Sequence, residues 1–256
     1  MKPRHGRYRT AVRYLLIEHG RNRLAIVLLI AFVPIWYLLI SSVIPSGSVD
    51  FRFRVTGHFI HVDGRQLSLL TAGLNALTLI VGFVIFTSTR RGMRFDHRLV
   101  LSGYPQWIVI AAKVTSVTVV ALAVAVYTSV ILLIFWGPQS VPLVVVSYAA
   151  AALAYGSLGL FLGVLLRGEL EGFFLVIMVS LIDTFIQNPI GNPAANKDFV
   201  QALPTYASTQ LYVAGGFSDL VPWPFIALTL AWPAALALLG LLIFWLRTRV
   251  PNSGSS

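Results

Sequence analysis

Six stretches of this chain are almost wholly apolar, at roughly 24–43, 67–87, 108–136, 141–166, 172–187 and 225–246. An α-helix rises about 1.5 Å per residue and a bilayer's hydrocarbon core is about 30 Å thick, so about 20 such residues cross it. A soluble fold cannot hide six of them. Charged residues are only 11% of the chain, against about a quarter in ordinary soluble domains, so much of the apolar surface must meet lipid. The expected fold is all-α and integral to a membrane: a single six-helix domain over 24–246, with a leader at 1–23 and a tail at 247–256.

The chain has no cysteine, which removes disulfides and thiolate metal sites. Its net charge of +10 would suggest nucleic acid in a soluble protein. Here the cations flank apolar segments, the arrangement that orients a protein in a bilayer. Fifteen of the 19 Lys and Arg fall on one side if the six segments cross in turn. They lie in the leader, at 90–98, at Lys113 and Arg167, and after the last segment. Only Arg52, Arg54, Arg65 and Lys197 fall on the other side. A multi-pass protein of the inner (cytoplasmic) membrane with both termini cytoplasmic follows from the positive-inside rule, with no nucleic-acid partner. The first segment is too long for a signal peptide's apolar region and lacks a small-x-small cleavage site, so it stays in the protein.

Two outer segments remain, 44–66 and 188–223. In the first, VDFRFRVTGHFIHVDG alternates apolar and polar around Thr56-Gly57, predicting a β-hairpin with solvated His58 and His61 rather than a metal site. The second predicts short interfacial or re-entrant helices broken at Pro204 and at Gly215-Gly216. Pro233 should kink the sixth helix. GPQS at 137–140 forces an antiparallel turn between the third and fourth.

The loop 88–107 holds Arg90, Arg91, Arg94 and Arg98. Topology alone would explain the arginines. It does not explain Phe95, Leu99 and Tyr104 sorted from Arg94, Asp96, His97 and Arg98, with Leu101 and Ser102 following and Gly103 and Pro105 as a stop. A short amphipathic helix at 95–104 is predicted. An apolar face in a cytoplasmic loop calls for a protein partner.

With Asp96-His97-Arg98, Leu99-Val100-Leu101-Ser102-Gly103 and the hydrophobic run 107–112 ending in Lys113, the loop resembles the coupling-helix loop of type-2 ABC exporter permeases. Gly103 stands where proline is usual, Ala112 where glycine usually precedes the lysine, and the usual upstream Glu is missing. The layout is similar too. RYRTAVRYLLIEHGRNRL sets Tyr8, Val12, Leu15, Leu16 and His19 on one stripe, like the family's N-terminal amphipathic helix, and LPTYASTQL resembles the proline-centred segment before its last span. The resemblance implies a permease subunit that moves a drug, antibiotic or lipid out of the cytoplasm. It also implies a second permease subunit, identical or related, and two P-loop ATPase subunits docked at Phe95, Asp96, Arg98, Leu99, Leu101, Gly103 and Tyr104. No lysine follows a glycine, so this chain has no Walker A. HExxH and GxSxG are absent as well. No catalytic, metal or cofactor site is expected here; ATP and Mg belong to the partner.

Two polar stripes cross the apolar segments: Thr71, Asn75, Thr78 and Gly82 on the second helix, and Ser180, Asp183, Thr184 and Gln187 on the fifth. Asp183 lies twelve residues past Glu171, about 18 Å into the layer. A carboxylate there must face protein or water. Either the stripes line a substrate route with Asp183 near its outer gate, or they form interhelical hydrogen bonds at a packing seam. The small residues Ala152, Gly156, Gly159 and Gly163 on the fourth helix predict close internal packing. Lys113 is expected to snorkel to the inner interface. Two other functions stay open: a membrane scaffold with no transport path, and a small secondary transporter coupled through Asp183.

Overall fold

The computed structural model describes residues 4–248. The tail expected from 249 onward, with Arg249, and the start of the leader, with Lys2, lie outside them. Among the described residues the fold is helical apart from one hairpin, and five helical segments, that at 223–243 including a break, are long and apolar enough to cross a membrane. The chain is thus all-α and multi-pass in architecture. The expected fifth span is α6 (Glu169–Gln187), which carries Glu169, Glu171 and Asp183 and is not one of the five.

Helix α1 (Arg4–Arg21) is parted from α2 (Arg23–Val43) by Asn22 alone, whose side chain caps α2 by accepting from the Ala25 amide at 3.2 Å. The stripe Tyr8, Val12, Leu15, Leu16 and His19 is partly buried, while Arg9 and Arg13 are exposed. That stripe packs on α4 (Gln106–Phe135), with the Tyr8 hydroxyl 2.6 Å from Thr115 Oγ1. Helix α2 carries Pro34 inside it. Proline cannot donate to the carbonyl four residues back. The Tyr127 hydroxyl on α4 donates to that carbonyl, Ile30 O, at 3.2 Å.

The centre of the fold is α3 (Gly64–Leu101) against α5 (Val141–Leu165): 83% and 78% of their apolar windows are buried, against 11% for α2. The close approach comes from the glycines. A Cβ at Gly159 would lie 2.4 Å from Gly82 O, and one at Gly163 would lie 2.9 Å from Phe86 O. The small-residue stripe on the fourth span therefore packs inside the subunit.

Strands β1 (Ser48–Phe53) and β2 (His58–Asp63) pair antiparallel from Ser48↔Asp63 to Phe53↔His58, turning at Gly57 with φ 76°. Asp50 and His61 face each other across the ladder as an ion pair when the imidazole is protonated. The free edge of β1 is covered by side chains: the Arg52 amide donates to Asn196 Oδ1 at 2.9 Å and the Arg54 amide to Gln210 Oε1 at 3.0 Å. An edge satisfied this way is no template for another strand. Arg54 Nη1 lies 2.7 Å from Asp198, in the 3-10 turn Asp198–Ala202, and holds that carboxyl below the usual range.

Two expectations need correction, and a third, the Pro233 kink, takes the form of a break. Residues 88–101 are not a loop with its own helix. They continue α3, a 38-residue helix: Gly92 inside TSTRRGMRFDHRLVL costs only about 1 kcal/mol, and the stop comes at Gly103, at φ 83°. The segment after Pro204 is not broken at Gly215-Gly216. It is one helix, α7 (Tyr206–Phe217), buried from Tyr206 to Gly216, so it packs inside the subunit. The glycines admit the α4–α5 turn, where the Ser140 amide donates to Gly215 O at 2.7 Å. The last span is two helices, α8 (Trp223–Leu228) and α9 (Ala231–Thr248), parted at Thr229-Leu230. The cause is Pro233, which cannot donate to Thr229 O.

Candidate functional site

Of the residues expected to meet a partner, Phe95 and Leu101 are 64% and 57% exposed, and Arg98 and Gly103 are exposed as well. They stand at the arginine-rich end of α3, beyond its apolar window, which ends at Met93. Leu99 is partly buried. Tyr104 is partly buried too, its hydroxyl donating to Arg7 O, which ties the turn to α1. Asp96 departs from expectation. It is buried, and its Oδ2 lies 2.8 Å from Lys113 Nζ, both side chains 7% exposed. Lys113 therefore does not snorkel. The turn at Ser102–Pro105 folds α4 back along α3 and brings the two residues level. The pairing follows from α3 continuing to Leu101, which the sequence alone did not announce.

Between α1, the start of α2, the end of α3 and the start of α4 lies a cavity of about 820 Å³, with Leu15, Arg21, Arg23, Arg91, Asp96 and Lys113 among its walls. Its wall residue His19 is held neutral: burial, then the nearby Lys113 charge, brings its pKa from 6.5 down to about 4. No sequence pattern announced this cavity, because its walls come from four separate helices.

The two polar stripes do meet. Asn75 Nδ2 donates to Thr184 Oγ1 at 3.0 Å and to Ser180 Oγ at 3.3 Å. Thr78 Oγ1 lies 2.7 Å from Ser180 Oγ and donates to Asn75 O at 2.9 Å. With one proton per hydroxyl, Ser180 must be the donor to Thr78. Asn75 Oδ1 finds no donor among the described residues. Nearby, Asp183 accepts from Tyr155 at 2.9 Å and from the Thr205 amide at 3.2 Å on Oδ2, and from Gln187 at 2.7 Å on Oδ1. Thr205 is the N-cap of α7, so the carboxylate faces a helix N-terminus, where negative charge is favoured. Asn75, Thr78, Ser180, Asp183, Thr184 and Gln187 are all buried. Thr71 is partly buried, near Tyr212 and Asn188. Tyr155 and Thr205 had no pattern that would single them out; their role depends on α5 and α7 converging on α6.

No protein-family model matches this chain, and no curated protein matches it either.

Proposed function

We propose that this chain is the permease subunit of a type-2 ABC exporter, with α6 as its fifth crossing, α8 and α9 as its sixth, and both termini in the cytoplasm. It works with a second permease subunit and two P-loop ATPase subunits that bind ATP and Mg, and it moves a drug, antibiotic or lipid outward. The observation that carries this reading is the exposed apolar tip: Phe95 and Leu101 are uncovered at the arginine-rich end of α3, where a protein partner would bury them. The 38-residue α3 suits transmission of force. It runs about 57 Å without a break and its other end lies in the buried centre. Closure of the ATPases displaces the tip, and the two permease halves rock between two states.

The test is co-purification of the tagged chain from its native host, beside a Phe95→Asp, Leu101→Asp variant that leaves the buried Asp96 and the partly buried Leu99 alone. Recovery of a P-loop ATPase with the parent and its loss with the variant supports the permease. No ATPase, under conditions that preserve a known ABC complex, sinks it. A membrane scaffold would then lead, and one observation favours that second reading: six of the seven residues expected on a substrate route are buried against partners inside the subunit.

A further inference from the structure

We propose that the cavity beneath α1 binds one anionic phospholipid, its phosphate held by Arg21, Arg23 and Arg91 and its acyl chains against the apolar wall that includes Leu15, Ile17 and Val109. The proposal needs only the membrane architecture and does not rest on the exporter reading.

Three observations carry it. The first is charge. The walls hold four cations, Arg21, Arg23, Arg91 and Lys113, against two carboxylates, Glu18 and Asp96. Asp96 and Lys113 neutralise each other at 2.8 Å. Glu18 accepts from Ser88 Oγ at 3.3 Å. Arg91 approaches Glu169 only loosely, at 3.8 Å, and Arg21 and Arg23 form no ion pair among the described residues. Three guanidiniums thus face a cavity with a single unmatched carboxylate, and guanidinium forks suit phosphate. His19, neutral at ordinary pH, adds a hydrogen-bonding group and no charge.

The second is depth. Arg23 opens the apolar helix α2, and Arg91 lies two residues before the end of the apolar window of α3. Arginines at the ends of apolar helices sit at headgroup level. The third is size and lining. About 820 Å³ is within the range of about 300–1,000 Å³ typical of small-ligand sites. Its mix of aliphatic wall and cationic rim fits an amphiphile better than a free anion, which would gain nothing from Leu15 or Val109.

Native mass spectrometry of the full-length chain in detergent tests this by titrating phosphatidylglycerol and, separately, phosphatidylcholine. One phosphatidylglycerol should bind per chain, about tenfold more tightly than phosphatidylcholine. The variant R21Q/R23Q/R91Q should weaken it by about a hundredfold. The control R9Q/R13Q removes two exposed arginines from the other face of α1 and should leave binding unchanged. Ala11→Phe keeps every arginine and fills the cavity, so it should also lose the lipid, which covers the case in which the triple variant fails to fold. Equal loss in the R9Q/R13Q control would overturn the proposal as non-specific attraction. Displacement of the lipid by inorganic phosphate alone would overturn it in favour of a free-anion site. Retention of lipid by Ala11→Phe would place the lipid elsewhere and overturn it as well.

Discussion

Replacing Asp96 by alanine should destabilise the arginine-rich end of the molecule far more than replacing an exposed neighbour. Both side chains of the Asp96–Lys113 pair are 7% exposed and their charged atoms are 2.8 Å apart. Taking the carboxylate away leaves the Lys113 charge buried without it, a change that costs about 3–5 kcal/mol. For a chain of this length each kcal/mol moves the melting temperature by about 2–4 °C, so a fall of roughly 6 °C or more is expected. Lys113→Met alone should cost a similar amount. The double variant Asp96→Ala, Lys113→Met replaces the pair by apolar groups and should recover most of the loss, since a buried ion pair and a packed apolar pair are often equal in stability. Thermal unfolding of the four proteins in one detergent completes the cycle. A double variant that loses as much as the two single ones summed would refute the reasoning, because the coupling would then be absent. So would an Asp96→Ala protein within about 0.5 kcal/mol of the parent, the range of ordinary surface substitutions.

Other perturbations address separate parts of the fold. His19 is depressed from 6.5 to about 4, so the unfolded chain takes up its proton first as pH falls. Its contribution is complete above about pH 6.5 and is lost on the way down to about 4; a pH series of melting temperatures should show this slope, and His19→Gln should flatten it. Tyr127→Phe strips Ile30 O of its donor and should cost about 1–3 kcal/mol. In a Pro34→Ala background, where the helix regains its own donor, the same change should cost little, and an equal loss in both backgrounds would show that the hydroxyl acts otherwise. Gly159→Leu places a side chain where a Cβ alone comes within 2.4 Å of Gly82 O. It should prevent a monodisperse protein on size-exclusion chromatography, while Gly137→Leu, at a position with open space, should not.

Composition and periodicity were enough to read the membrane architecture. The apolar runs match α2, α3, α4 and α5 to within a few residues at the buried ends, and the Thr56-Gly57 turn and its flanking alternation match the hairpin. These features are local: an apolar run long enough to span lipid must pair its own backbone, and only a helix does so within one segment. The stripe on α1 was legible for the same reason, since helical spacing alone sorts Tyr8 and His19 from Arg9 and Arg13. The end of α3 was misread. The arginines at 90–98 suggested a loop, but arginine is a good helix former, and only the glycine at 103 stops the helix.

Tertiary structure alone decided the roles of the polar residues. Asn75 and Thr184, Asp96 and Lys113, and Asp183, Tyr155 and Thr205 each lie far apart in the chain or across a turn, and no local pattern specifies which will meet. A polar group inside an apolar layer must find a partner because water is not there to serve. The sequence by itself shows that such partners must exist. Which they are depends on how closely α3 and α5 approach, and the absence of a Cβ at Gly159 and Gly163 sets that distance.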